Sequence, residues 1–392
     1  MRAAVVLIVV AQLLGTSLWF SVNSAADDLV RQWGIAAADI GTLTNAVQLG
    51  FITGTLLFAL TGLADRYPAS RIFALCAVLG ALAQGAFALL AQGLASGVPL
   101  RFAVGLCLAG VYPLGMKLIV SWVPERAGHA LAWLVGMLTL GTALPHGLRW
   151  LGTGLPWQAT MGLAAALAVV AAGLMLYLGD GPHLRRNPQA ARLRPQRLLQ
   201  AFAIPAFRAS ALGYFGHMWE LYAFWTLVPA LLVAAGLATA GSAAASALAF
   251  AVIGIGALGC LVGGWWSRRV GSARVAALAL AGSALCCALY PLLAQGGAPA
   301  LALLAVLLLW GLSVVADSPH FSALSARACP PEAVGSALAL QNAIGFAISM
   351  VSIQLGTAWL HQWGPAIAWL LLPGPLLGLL GLWPLWRRSA AA

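Results

Sequence analysis

The chain has 392 residues, of which 62% are hydrophobic and 7% are charged, and its formal net charge is +11. Soluble domains carry roughly 25% charged residues because their surfaces face water. This composition excludes a soluble globular protein and indicates an integral membrane protein. The positive charge comes from arginines in the predicted loops and does not require a nucleic-acid partner.

Twelve apolar runs are each long enough to cross a bilayer as a helix, which takes about 20 residues. The runs are continuous and too long for alternating barrel strands. We therefore expect an all-α membrane protein with twelve transmembrane helices. The candidate spans, numbered 1 to 12 in chain order, are residues 3–23, 41–61, 72–92, 99–121, 128–148, 157–178, 209–235, 242–266, 273–295, 299–322, 335–358 and 365–386.

The first run resembles a secretory signal peptide, since a basic residue precedes it and small residues follow it. It is as long as a full span, however, and eleven more runs follow, so we interpret it as span 1. An even number of spans puts both termini on one side. On that side lie seventeen of the twenty basic residues, and the other three are Arg31, Arg101 and Arg149. Because cytoplasmic loops are rich in Lys and Arg, both termini are expected in the cytoplasm.

A polar, arginine-rich stretch divides the chain at its middle. It predicts an N-terminal six-helix half over residues 1–178, a basic cytoplasmic linker over 179–207 and a C-terminal six-helix half over 208–392. The two halves share a faint repeat, because VPERAGHAL at 123–131 matches PPEAVGSAL at 330–338 in five residues at an offset of 207. Gly105 and Gly311 recur at an offset of 206. Internal repeats of helices are typical of transporters.

The stretch GLADRYPASR, between spans 2 and 3, resembles the loop motif of the major facilitator superfamily. It supplies the aspartate and the basic residues of that motif as Asp65, Arg66 and Arg71, but has Thr61 and Pro68 where the glycines are expected. The resemblance covers the whole chain and implies two pseudo-symmetric halves, a central cavity, rocking-type alternating access and a monomer. It also implies a cytoplasmic gate at Asp65, Arg66 and Arg71. The alternative is that these residues only cap helices and fix the topology.

Two further stretches carry the resemblance. LRFAVGLCLAG at 100–110 is similar to the helix 4 motif of the family, with Arg101 and Gly105, and GMLTLGTALPHG at 136–147 is loosely similar to its helix 5 motif. GVYPLGMKL distantly resembles the nitrate/nitrite-type members. The mid-helix arginines of that branch are missing from spans 2 and 8, so a nitrate carrier is disfavoured.

Only two of the nine acidic residues, Glu220 in span 7 and Asp317 in span 10, fall within spans. Each has a histidine three residues away, His217 and His320, which places each pair on one helix face. Ionisable groups inside a membrane are expensive and usually face a cavity. A buried carboxyl group next to an imidazole can bind and release a proton. We therefore expect these four residues to couple protons or to bind a cationic part of a substrate, Glu220 first.

Other readings of these residues stay open. Glu220 and Asp317 can be structural ties to backbone or imidazole groups. Two His/carboxylate pairs also suit a transition metal, although they lie on separate helices at different estimated depths. We expect no bound metal and no cofactor.

Polar and aromatic residues of spans 1, 2, 4, 7 and 11 suggest the lining of a cavity for a small solute with polar groups. They are Gln12, Thr16, Asn23, Asn45, Gln48, Tyr112, Trp219, Tyr222, Gln341 and Asn342, with Trp19 and Trp225 as further aromatic walls.

The function predicted from the sequence is that of a secondary active transporter. It would move a small organic solute across a bacterial-type inner membrane, coupled to protons. An organic-anion uniporter or exchanger is an alternative, and a transition-metal transporter is a weaker one. An enzyme is disfavoured because the chain has no HExxH, GxSxG or Walker motif. A membrane sensor is disfavoured because the loops are too short for an output domain.

Overall fold

The structure, a computed structural model, describes residues 2–184, 200–330 and 334–390. The described residues form helices joined by short connections and contain no β-strand. Most of the predicted basic linker, from 185 to 199, and Glu332 of the repeat motif lie outside the described residues.

Ten helical stretches in the described part of the chain are long and apolar enough to cross a membrane. One of them, Ala337–Arg387, is 51 residues long and holds both span 11 and span 12, and a shorter apolar helix, Ala3–Thr16, forms span 1. The prediction of an all-α membrane protein with twelve spans is confirmed. The uninterrupted spans are Arg2–Thr16 (span 1), Ala37–Thr61 (2), Ala69–Leu90 (3), Ala127–Leu151 (5), Trp157–Leu178 (6), Pro205–Ala234 (7), Ser272–Gln295 (9), Val334–Trp363 (11) and Pro373–Ala390 (12).

Three spans are broken near their middle. Each consists of two helices: Leu94–Leu108 and Tyr112–Trp122 in span 4, Ala243–Gly254 and Gly256–Val270 in span 8, and Ala300–Ser313 and Ser318–Ala328 in span 10. Pro113 and Pro319 stand at the start of the second helix of spans 4 and 10, where a residue without an N–H fits best.

The two largest differences from the predicted boundaries are the end of span 1 and the start of span 12. Span 1 ends at Thr16, and its predicted remainder turns and continues as the short helix Ser21–Ser24. Span 12 begins at Pro373, because the residues predicted to open it form the 3-10 helix Gly364–Leu370. Hydropathy alone does not separate an apolar turn from an apolar helix.

Spans 2 and 4 pack backbone against backbone. The place of a Cβ on Gly105 is occupied by the carbonyl group of Val47, and that of Gly50 by the carbonyl oxygen of Phe102. The same contact recurs between spans 8 and 10, where the carbonyl oxygen of Val252 fills the Cβ position of Gly311. Small residues permit such close approach in membranes. The faint repeat in sequence therefore corresponds to equivalent helix contacts in the two halves.

Arg101 is the one arginine of the described chain that lies fully inside the protein. Its Nη1 donates to Gln84 Oε1 at 2.6 Å and to Ser21 Oγ at 3.1 Å. Its Nη2 donates to the carbonyl oxygens of Leu18 and Trp19, at 3.1 and 2.6 Å. These carbonyls belong to the turn that follows span 1. Arg101, predicted as part of a helix 4 motif and counted among the basic residues on the outer side, thus holds the turn after span 1 from within the bundle.

We expect Gly105→Ala to lower the unfolding temperature of the purified protein by several degrees. Its methyl group has to displace the Val47 carbonyl, and overpacking of this kind costs about 1–3 kcal/mol. Gly85→Ala is the matched control, because nothing lies within 4 Å of its Cβ position. Equal unfolding temperatures for the two variants, measured by tryptophan fluorescence in detergent, would contradict the close packing of spans 2 and 4.

A second prediction concerns Arg101→Met, which leaves the carbonyls of Leu18 and Trp19 without this donor. An unsatisfied buried polar group costs about 1–3 kcal/mol, so this variant should unfold at a clearly lower temperature. Arg101→Lys keeps the charge but not the fork of donors and should fall in between. Arg268→Met, at an exposed arginine, is the control, and the prediction fails if Arg101→Met is as stable as that variant.

Candidate functional site

Glu220 lies near the middle of span 7, and its side chain is 1% exposed. Its carboxylate faces spans 9 and 10. Oε2 accepts a hydrogen bond from Ser283 Oγ at 2.8 Å, and Oε1 accepts from Trp310 Nε1 at 2.6 Å and from Cys287 Sγ at 3.2 Å. Each donor is neutral, and no lysine or arginine of the described chain bonds this carboxylate. Glu220 is therefore a buried acid held inside the C-terminal group of helices.

Asp317 pairs with the histidine of another span. His217 Nδ1 lies 2.8 Å from Asp317 Oδ1, and both side chains are 1% exposed. The sequence spacing suggested the pairs His217–Glu220 and Asp317–His320. In the structure Asp317, which directly precedes the helix Ser318–Ala328, has its side-chain contact with His217 instead.

His320 is buried beside span 8. A Cβ on Gly263 would lie 3.3 Å from its Nε2, and this nitrogen has no hydrogen-bond partner among the described residues. Nε2 of His217 is also without one. No group of three or more His, Cys, Asp or Glu side chains in the described ranges is placed to hold a metal ion.

The predicted lining residues fall into two sets. Asn45 and Gln48 of span 2 bond to span 11: Asn45 Nδ2 donates to the Met350 carbonyl at 3.0 Å, and Gln48 Nε2 to Ser349 Oγ at 3.4 Å. Tyr222 stacks on Trp19 and Phe20 of the other half, and the polar lining residues that remain bond within their own half. Thr16 donates to the Gln12 carbonyl, Asn23 donates to Thr44, Gln341 accepts from Ser325, and Asn342 and Tyr112 are half-buried.

Trp219, in contrast, does not face the space between the halves. Its Nε1 donates to the carbonyl oxygen of Leu370 at 2.8 Å, and its side chain packs against Gly374. It lies at the boundary with span 12 and its preceding 3-10 helix. A tryptophan in an apolar run carries no sequence signal that separates these two positions.

A group of six buried aromatic side chains joins the two halves, and we call it the ring cluster. The turn that follows span 1 and spans 2, 7 and 11 supply its members, which are Trp19, Phe20, Phe51, Tyr222, Trp225 and Phe346.

The rings of the cluster stack across the boundary between the halves. Trp19 stacks on Tyr222 at 5.9 Å and on Phe346 at 5.7 Å between ring centroids, and Phe20 stacks on Tyr222 at 6.0 Å. Trp19 Nε1 also donates to Gln48 Oε1 at 3.1 Å. Phe51 and Phe346, which sequence reasoning missed, are ordinary apolar residues of their spans until the halves bring them together, 4.5 Å apart.

Charged residues at the two ends of the helices complete the description. Asp65 accepts a hydrogen bond from Lys117 Nζ of span 4 at 2.6 Å, and Arg66 and Arg71 are exposed. At the opposite end Asp28 pairs with Arg31 and with Arg149 of span 5. Lys117 is the partner of Asp65 that the sequence reasoning did not identify. Its position in span 4, close to the charged loop, is the signal that could have found it.

Three known proteins that are similar in sequence or structure are described as transporters. The niacin transporter NiaP of Acinetobacter baylyi is 29% identical over 128 residues, which cover 30% of this chain and 28% of that protein. The human organic anion transporter MFSD10 (TETRAN) matches with a TM-score of 0.70 and 16% identity, over 97% of this chain and 98% of its own. The proton:xylose symporter XylE matches with a TM-score of 0.78 and 14% identity, over 98% of this chain and 96% of its own.

These structural likenesses show the fold, which agrees with the predicted two pseudo-symmetric halves of six helices. The family model described as Major Facilitator Superfamily matches residues 8–353, which is most of the chain. The resemblance expected from the loop motif is thereby confirmed. The chain belongs to the major facilitator superfamily of membrane transporters.

Proposed function

We propose that this protein is a proton-coupled secondary transporter that moves a small organic solute by alternating access. Glu220 is the main support. It is a buried acid in the middle of a membrane span, and charged groups in that position are expensive unless they have a function or a partner. Its three partners are neutral donors, so the carboxylate is free of a fixed counter-charge.

The surroundings of Glu220 suit both of its protonation states. A serine hydroxyl can donate or accept, whereas a tryptophan N–H only donates. The ionised carboxylate accepts from Ser283, Trp310 and Cys287. The neutral acid can donate from Oε2 to Ser283 while Oε1 still accepts from Trp310. A proton can therefore be added or removed without leaving a buried polar group unpaired.

The pair His217–Asp317 is the second element of the proposed coupling. It joins span 7 to span 10 at the break in span 10. The 2.8 Å contact between His217 Nδ1 and Asp317 Oδ1 links the two spans, and a cationic group of a substrate could take the place of the imidazole next to Asp317. His320 stands on the following helix turn. Binding at this point would change the packing of span 10, which is how a local charge event can shift the position of a helix.

The proposal includes an orientation and a gate. The described arginines near the termini and the loop after span 2 favour a cytoplasmic position of both ends, in a bacterial-type inner membrane. Asp65, with Lys117 rather than Arg66 or Arg71 as its bonded partner, would fix the cytoplasmic end of span 4. The division into residues 1–178, 179–207 and 208–392 and a monomeric state are parts of the same proposal, as is the absence of an enzyme activity.

An organic-anion uniporter or exchanger is the second candidate. Two of the similar proteins carry names of this kind, a niacin transporter and an organic anion transporter. Such a carrier would move solute without protons, which the next experiment separates from the first candidate.

We expect Glu220→Gln to lose solute-driven proton movement, because an amide cannot take up and release the proton. Purified protein in liposomes loaded with a pH dye would be tested with organic acids, amines, amino acids and sugars under an imposed pH gradient. Glu125→Gln, the same exchange at an exposed loop acid, should behave like wild type. Coupling that survives in Glu220→Gln would refute its role, and solute flux without protons would favour the uniporter.

The pair His217–Asp317 should show strong coupling in a double-mutant cycle. Removing one member of a buried ion pair typically costs about 3–5 kcal/mol, so His217→Asn and Asp317→Asn should each lower the unfolding temperature. The double variant should lose less than the sum of the two. Additive losses would mean that the two side chains do not interact in the membrane-embedded protein.

A further inference from the structure

We propose that the ring cluster is a binding site for a small, planar aromatic ring that carries a hydrogen-bond acceptor. This inference rests on the proposed transport function and names the class of its solute. It starts from the way the six rings are divided. Trp19, Phe20 and Phe51 come from one half of the molecule, and Tyr222, Trp225 and Phe346 come from the other.

The faces that meet across this boundary are nearly parallel. Trp19 and Phe346 lie at 17° to each other, Trp19 and Tyr222 at 20°, and Phe20 and Tyr222 at 16°. Stacked ring pairs with centroids about 4.5–7 Å apart are favourable beyond the burial of their area. In alternating access the halves move apart, and the stacking between these ring faces is then broken. A planar ring that enters between them restores the stacking on both sides, whereas a puckered or branched solute does not.

Two buried polar atoms near the boundary indicate which hydrogen-bonding substituents such a ring would carry. Trp225 Nε1 is a donor with no hydrogen-bond partner in the described structure, although the side chain is only 1% exposed. Asn45 Oδ1 is an acceptor without a partner there, on a residue whose amide bonds span 11. A carboxylate, a carboxamide or a ring nitrogen would accept from Trp225. Buried donors are normally paired with an acceptor. The unpaired N–H of Trp225 therefore suits a ligand that supplies an acceptor.

The cluster also lacks any charged side chain among its members, so recognition there depends on shape and on hydrogen bonds. The ring of Trp225 stands edge-on to its neighbours, at 88° to Phe20 and 87° to Tyr222. Its unpaired N–H is therefore best placed for an acceptor that lies in the plane of the bound ring. The stacked rings and the N–H of Trp225 at their edge thus match the shape and the hydrogen bonding of a flat molecule.

The test compares probes of nearly equal size that differ in planarity. Benzoate, benzamide and nicotinate would be titrated by calorimetry into the full-length protein in nanodiscs, with cyclohexanecarboxylate as the non-aromatic counterpart of benzoate. We expect at least one aromatic probe to bind several-fold tighter than cyclohexanecarboxylate. Equal binding of benzoate and cyclohexanecarboxylate, or no binding of the three aromatic probes at millimolar concentration, would overturn the inference.

Variants locate the site. Tyr222→Leu should weaken binding of the aromatic probe roughly two- to tenfold, which is the range measured for aromatic pairs. Tyr222→Phe, which keeps the ring, should bind like wild type, and Trp225→Phe, which removes the N–H, should weaken binding roughly two- to tenfold. Trp359→Leu, at a half-exposed tryptophan of span 11 outside the cluster, is the control. If Tyr222→Leu elutes as a monodisperse protein and binds unchanged, the rings are only a seal between the halves.

Measuring proton flux on the same preparations separates this inference from the proposed function. Flux driven by a non-aromatic solute, without binding of aromatic probes, would leave the transporter standing and reject the aromatic site. Binding of aromatic probes at the ring cluster without any solute flux would support the site and reject the transporter.

Discussion

The low polarity of a bilayer requires each polar group inside it to find a partner within the protein. Arg101 and Glu220 meet that requirement in different ways. Arg101 directs four N–H donors at neutral acceptors and so fixes the turn that follows span 1. Glu220 accepts from Ser283, Cys287 and Trp310. Neither group has an opposite charge as a partner, and Arg101 Nε has no hydrogen-bond partner in the described structure. The bonds that both groups do make tie together the segments that supply their partners.

The two charged groups nonetheless differ in what they permit. The guanidinium of Arg101 only donates, and two of its bonds go to backbone carbonyls, which have no second state to offer. The carboxyl group of Glu220 has a hydroxyl group as one partner, and hydroxyls can reverse the direction of a hydrogen bond. The first arrangement is suited to holding a backbone turn rigidly, and the second to gaining and losing a proton.

The boundary between the halves combines polar and aromatic contacts. Gly105 and Gly311 bring the backbones of two spans into contact within each half. Across the boundary, Asn45 and Gln48 bond to span 11, and the ring cluster stacks. Spans 5 and 8 also approach closely across the boundary, where a Cβ on Gly136 would lie 3.2 Å from the carbonyl oxygen of Ala257.

The sequence alone determined the membrane class, the twelve spans and the two-half architecture, because apolar length and the placement of arginines depend on the bilayer rather than on tertiary contacts. The loop motif around Asp65 was enough to suggest the family. Glu220 and Asp317 could be singled out because a charge in an apolar run is visible without a fold. Their surroundings were not predictable: only the tertiary structure decided that His217 faces Asp317, that Trp219 packs against the start of span 12 and that Phe51 meets Phe346. Each of these contacts depends on how one helix is rotated against another. A helix that is apolar on every face has a hydropathy pattern from which that rotation cannot be predicted.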